Sequence, residues 1–154
     1  MDGRFRKVSV VVATLALAIA STACGGDDDG EGAGDGTVQV TLQEWAIAAN
    51  PTSVGAGEVT FEAENIGPDD PHEVVVVKTD LAPDALPTNE DGSVNEDGEG
   101  VEALGEIEEF PVGETQSMTL DLEAGSYVLI CNIYDADEME AHYQEGMRLA
   151  FTVE

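Results

Sequence analysis

Four side chains of this 154-residue sequence could meet around one soft metal ion: His72, Cys131, His142 and Met147. The chain has only two histidines and two cysteines. His72 stands just before an apolar run, Val74 to Val77. His142 follows Cys131 after ten intervening residues, and Met147 lies five positions further on. Thiolate is a soft ligand suited to Cu(I), and imidazole suits both copper states. Two imidazoles, one thiolate and a weak, distant thioether make a set that holds copper while it changes oxidation state. That compromise geometry fits neither state perfectly, so little has to rearrange when an electron moves. The thiol must lose its proton to bind, and the charge of the metal lowers its pKa enough.

Singly, each residue has a plainer role. His72 beside Pro71 could be a polar loop residue, and Cys131 a small buried hydrophobe. Met147 could be core filler, and His142 the partner of a carboxylate in an acidic loop. Together, both histidines and a lone cysteine fall in one ordered pattern. Met139 offers a second thioether that could compete for the axial place.

The elements that must position these residues read as strands. Val38, Val40 and Leu42 alternate with polar residues, as do Val59, Phe61 and Ala63, then Met118, Leu120 and Leu122, and finally Leu149, Phe151 and Val153. Tyr127, Leu129 and Cys131 alternate with Val128 and Ile130. The β-branched run Val74 to Val77 suits a strand covered on both faces. Asn50-Pro51, Gly55-Ala56-Gly57, Asn65-Ile66-Gly67-Pro68, Pro111-Val112-Gly113 and Ala124-Gly125 punctuate these runs. The pattern predicts an all-β antiparallel sandwich. The four candidate ligands then lie at strand ends or adjoining turns. Leu81 to Phe110 interrupts the pattern with prolines and many acids and reads as a long, solvated acidic insertion. Within it, Val101 to Phe110 is expected to form a helical turn or two.

The beginning of the chain has a different character. Arg4, Arg6 and Lys7 precede an apolar run, Val8 to Ala20, too short to span a bilayer permanently. Ser21, Thr22, Ala23 and Cys24 follow, an order that reads as a secretory signal over residues 1–23. The placing of Cys24 resembles a bacterial lipobox, in which the cysteine is acylated and becomes the first residue. Phe5 separates the two arginines, so a twin-arginine signal is not supported. The Gly and Asp residues over 24–36 cannot build a core and read as an extended, flexible tether. The folded domain is expected over 37–154. With Cys24 acylated, Cys131 has no disulfide partner in an oxidising compartment and needs another reason to be there.

Charge excludes some partners. The formal net charge is −28. The leader removes Arg4, Arg6, Lys7 and Asp2, leaving Lys78 and Arg148 against 32 acids, a net charge of −30. Such a chain does not bind nucleic acid, because phosphate contacts need Lys and Arg. Anionic lipid repels it too, so attachment to a membrane falls to the lipid anchor. The acidity fits either a saline environment or steering toward a basic partner, and salt would screen the second.

Two stretches carry a family resemblance. In VTFEAENIGPDDPHEVVVV a strand ends in Asn65-x-Gly67 and a histidine follows; GSYVLICNIYDADEMEAHYQEGMRLAFTV holds Gly-x-Tyr-x-x-x-Cys, then His-x-x-x-x-Met, then a closing strand. From Val38 to Glu154 the chain resembles the plastocyanin–azurin, or cupredoxin, group of blue type 1 copper proteins. The resemblance implies a Greek-key β-sandwich and one copper ion. It makes His72 and His142 the imidazole ligands, Cys131 the thiolate and Met147 the axial thioether. The ten residues Asn132 to Ala141 are longer than the few usual there. Asn132 is expected to fix the ligand loop by hydrogen bonding, and Trp45, the sole Trp, to pack in or near the core.

The function this implies is single-electron transport at the outer, extracytoplasmic face of the cell membrane, by a lipid-anchored monomer with a redox partner protein that could be basic. Copper storage or delivery with the same ligands is the alternative, and a structural surface lipoprotein is a third. No Ser–His–Asp set with a spare histidine and no Gly-rich phosphate loop is present in the sequence, so no enzyme activity is expected.

Overall fold

The computed structural model describes residues 36–154. The expected leader over 1–23, the expected lipidation site Cys24 and all but the last residue of the expected tether over 24–36 lie outside the described residues.

The described chain runs through β1 (Thr37–Gln43), β2 (Ala46–Asn50), β3 (Ser53–Val54), β4 (Gly57–Asn65), β5 (His72–Lys78), β6 (Glu102–Phe110), β7 (Thr115–Leu122), β8 (Gly125–Ile130), β9 (Tyr134–Asp135), β10 (Glu140–Ala141), a single helical turn α1 (His142–Glu145) and β11 (Arg148–Val153). Two sheets face each other. One has the order β2-β1-β4-β7 and the other β3-β11-β8-β5-β6, while β9 and β10 form a small hairpin apart from both. The expected sandwich is present, but its sheets are mixed rather than wholly antiparallel. β1 runs parallel to β4, and β3 parallel to β11. Both parallel pairings join strands that are not consecutive in sequence, which alternation alone does not reveal.

The core lies between the sheets. Period-2 alternation turns Val38, Val40 and Leu42 of β1 and Val59, Phe61 and Ala63 of β4 inward. They meet Val74, Val76, Tyr127, Leu129, Phe151 and Val153 of the other sheet. Phe61 and Phe151 join the layers edge to face, 5.5 Å between ring centres. Fully burying a Val, Leu or Phe side chain contributes about 1.5–3 kcal/mol, so these two inner faces are the main source of stability.

A second apolar cluster lies on the outer face of the five-stranded sheet. Val75 and Val77 of β5 and Val128 and Ile130 of β8 point there, and Leu86, Val94 and Tyr143 cover them. Val74 to Val77 is thus buried on both faces, as its composition predicts. The cover corrects two sequence expectations. The segment 80–101 is not simply solvated, since Leu86 is 5% and Val94 2% exposed. Residues Glu102–Phe110 form the edge strand β6, paired with β5, and not a helical turn. β6 is mostly exposed, and its acids discourage pairing with another chain at that edge.

Candidate metal centre

The site is built at one end of the sandwich, from the start of β5, the end of β8 and the connection from β8 to β11. Asn65, the last residue of β4 and fully buried, fixes the loop that delivers His72. Its Oδ1 accepts the Gly67 N–H at 2.9 Å, and its Nδ2 donates to the Asp70 carbonyl at 2.9 Å and the Phe110 carbonyl at 3.1 Å. Gly67 takes φ +63°, a left-handed conformation that favours glycine. Glu44 braces the same loop: its Oε1 accepts the N–H groups of Asp69 at 3.1 Å and Asp70 at 2.6 Å. His72 then opens β5.

Cys131 directly follows β8, and its N–H donates to the Met147 carbonyl at 3.1 Å. The residues between them fold back through the β9–β10 hairpin, so that His142 opens α1 with its N–H bonded to the Ile133 carbonyl at 3.0 Å. The Met147 N–H returns to the His142 carbonyl at 3.1 Å. Gly146 makes the turn into β11 at φ +132°, where a side chain would meet the Trp45 carbonyl at 3.0 Å. The backbone itself therefore ties the second histidine, the cysteine and the methionine into one unit.

Three buried donor atoms converge. Nδ1 of His72 lies 3.2 Å from Nδ1 of His142, and the Cys131 Sγ lies 3.4 Å from the second and 4.0 Å from the first. Metal–nitrogen and metal–sulfur bonds of about 2.0–2.3 Å in a trigonal plane place their ligand atoms roughly 3.5–3.8 Å apart. The triangle here is within a few tenths of an ångström of that size. All three are held away from water: His72 and Cys131 are fully buried and His142 is 3% exposed. The His72 Nε2, on the far side of its ring, is buried without a hydrogen-bond partner, 3.5 Å from the Glu44 carboxylate. The donor set, two imidazoles and a thiol buried together, fits a type 1 copper site.

The electrostatics agree. Burial lowers the pKa of both imidazoles, and for His72 the neighbouring His142 lowers it further. Both rings are therefore uncharged at neutral pH, with a nitrogen lone pair available. Burial pushes the Cys131 thiol up to about 12, against the hydrogen bond from the Glu73 N–H to its sulfur at 3.5 Å. Without a cation the sulfur keeps its proton; a metal ion supplies the charge that removes it. Burial also raises the Glu73 carboxyl to about 7, against the hydrogen bond it accepts from the Asn132 N–H at 2.9 Å and with Glu106, Glu96 and Glu109 adding to the rise. Burial would raise the Glu44 carboxyl as well, but the backbone N–H groups of Asp70 and Asp69 and the His72 ring leave it below its ordinary value.

No family model and no curated protein sequence matches the chain. Solved structures do. A dithionite-reduced auracyanin from the photosynthetic bacterium Roseiflexus castenholzii aligns over 77% of this chain and 97% of its own, with 20% identity and a TM-score of 0.53. Auracyanin B aligns over 77% and 88%, with 25% identity and a TM-score of 0.52. An azurin, Az-iso2 from the methylotroph Methylomonas sp. strain J, aligns over 78% and 98%, with 19% identity and a TM-score of 0.53. The chain has the cupredoxin fold.

Within this cupredoxin fold, each residue singled out from the sequence has a definite place. His72, Cys131 and His142 come together. Met147 is fully buried directly before β11, tied to Cys131 through its carbonyl. Met139, the competing thioether, is 79% exposed at the turn of the β9–β10 hairpin. Asn132 does bond to the structure around the ligand loop, through Val94 and Glu96. Trp45 is half-buried against the main core, and its indole stands edge-on to both imidazoles, with ring centres 4.9 Å from His142 and 6.3 Å from His72. Glu44, Glu73 and Tyr143 were not marked by the sequence. They act through bonds to residues distant along the chain, and an acidic residue in so acidic a chain carries no signal of its own.

Proposed function

We propose that this protein is a one-electron carrier. In this reading it holds one copper ion through His72, Cys131 and His142, with Met147 as a weak axial thioether. A lipid on Cys24 tethers it to the outer face of the cell membrane. The observation that carries the reading is the convergence of two uncharged imidazole Nδ1 atoms and one thiol, all buried, within 4.0 Å of one another. When bound, copper supplies a centre that passes between Cu(II) and Cu(I). The chain's own residues do the rest. Burial keeps both rings uncharged and keeps water out, and the Glu73 N–H supports negative charge on the sulfur. The backbone bonds between residues 131, 142 and 147 hold the ligand loop in one shape through a change of charge. The auracyanin neighbour from Roseiflexus castenholzii is in a dithionite-reduced form, a state that belongs to redox proteins.

The test is to add Cu(II) to the purified protein and record visible absorption and paramagnetic resonance. Intense visible absorption that dithionite removes and an oxidant restores is expected, and Cys131→Ser should abolish it. A colourless, redox-inert complex overturns the reading. Transfer of Cu(I) to an acceptor apo-protein without electron turnover selects copper storage or delivery instead. The anchor has its own test: Cys24→Ala should release the protein from the membrane fraction, and retention there rejects the lipid tether.

A further inference from the structure

The ligand loop has little regular structure of its own. It consists of two strands of two residues each and a helix of four, too short to persist alone. Its two metal-facing anchors are each followed by a residue fixed to the segment 80–101. Asn132 comes directly after Cys131 and engages Val94 much as a neighbouring strand would. Its Oδ1 accepts the Val94 N–H at 2.5 Å, and its Nδ2 donates to the Val94 carbonyl at 3.1 Å and to the Glu96 carboxylate at 2.9 Å. Tyr143 comes directly after His142 and is 2% exposed. Its hydroxyl accepts the Leu86 N–H at 3.2 Å and donates to the Pro83 carbonyl at 2.8 Å, while its ring completes the second apolar cluster. Gln144 adds a bond to the Gly92 carbonyl at 3.1 Å. From the other side, the Arg148 guanidinium lies over the Tyr143 ring, 5.2 Å from its centre, and donates to the Tyr143 carbonyl.

We propose that the segment 80–101 is a clamp that fixes Cys131 and His142 in their ligating positions before any metal arrives, with Asn132 and Tyr143 as its positioning residues. Seating the Tyr143 side chain in the second cluster fixes the rotation of the helical turn, so that His142, one position earlier and about 100° away around the axis, is turned toward His72 and Cys131. The acidic segment is therefore part of the metal centre's support. The proposal rests on the reading of His72, Cys131 and His142 as metal ligands.

The clamp has a measurable consequence. A site that is competent only part of the time binds more weakly in proportion to the competent fraction. Tyr143→Phe keeps the ring but leaves the Leu86 N–H and Pro83 carbonyl without their partner, a loss large enough to shift a loop equilibrium by about tenfold. The experiment uses the full chain free of metal, with Co(II) alone as the probe, and compares Tyr143→Phe and Asn132→Ala with Val59→Ala, a core truncation on the opposite sheet. In both loop variants the amide hydrogens of residues 132–147 should exchange about tenfold faster, and Co(II) should bind more weakly, by at most about tenfold, as the competent fraction falls. Val59→Ala should lose thermal stability without either change. If Tyr143→Phe loses stability but keeps the parent's Co(II) affinity and loop exchange, the segment only stabilises the fold and the clamp is refuted. If the parent binds neither Co(II) nor Cu(II), the ligand reading fails, and the exchange comparison still decides whether the clamp holds the loop.

Discussion

Replacing Asn65 by alanine removes three hydrogen bonds at once from a position with no access to water. The Gly67 N–H and the Phe110 carbonyl lose a partner at 2.9 and 3.1 Å, and the Asp70 carbonyl loses one at 2.9 Å. A typical intramolecular hydrogen bond contributes about 1 kcal/mol net, and a buried group left unpaired costs about 1–3 kcal/mol. The sum is about 3 kcal/mol, since the partly wetted Asp70 carbonyl recovers some of its loss from solvent. For a domain of this size that lowers Tm by roughly 10–15 °C. Urea denaturation of the purified protein followed by Trp45 fluorescence measures it, with a lower midpoint and an unchanged slope as the expected signature. Asn65→Asp sharpens the test. Its carboxylate keeps the bond from Gly67 but faces two carbonyl oxygens, so it should be more destabilising at pH 7 than at pH 4, where the protonated acid can donate once. A loss below about 1 kcal/mol for Asn65→Ala would show that Glu44 alone holds the His72 loop, and the reasoning would be wrong.

Three further outcomes follow from the same bonds and burial. The Glu73 carboxyl titrates near 7 in the fold against 4.5 in the open chain, so between those values the folded state holds the extra proton. Its contribution falls as pH rises through that window, by up to about 3 kcal/mol, and Glu73→Gln, measured by urea denaturation from pH 4 to 8, should flatten that part of the profile. With its thiol pushed up to about 12, Cys131 of the metal-free protein should react with iodoacetamide at pH 8 only as fast as the chain unfolds, and added Cu(II) should release a proton. Gly67→Ala places a methyl group 2.6 Å from a Val112 methyl at φ +63° and should cost about 1–3 kcal/mol in the same denaturation assay.

The sequence made some of this legible and hid the rest for physical reasons. β1 and β4 were plain because each has one wet and one dry face, and alternation records that directly. Val74 to Val77 announced two dry faces but not what covered the second. Leu86 and Val94 do that from irregular backbone, where isolated apolar residues among acids have no period to read. β6 reads as helical because Val101, Leu104, Ile107 and Phe110 recur at intervals of three among helix-favouring Glu and Ala. As an edge strand it buries little, and its pairing with β5 is irregular, with register shifts that spoil strict alternation. Pairing along β5 outweighs local propensity there. The three converging candidate ligands were readable because histidine and cysteine are scarce and sit at strand ends. Their supports were not, because an Asn, a Glu or a Tyr becomes a support only through the neighbour that the fold brings to it.

The Trp45 indole has a consequence for any encounter at this end of the molecule. His72 is sealed and His142 nearly so, which leaves little imidazole edge for another protein to touch. The Trp45 ring stands edge-on to both and is itself only half-buried. If the centre carries electrons as proposed, that indole offers them one route between the imidazoles and the contact gap. The pace of exchange would then depend on how closely a visitor's surface can settle against a tryptophan in the turn between the first two strands.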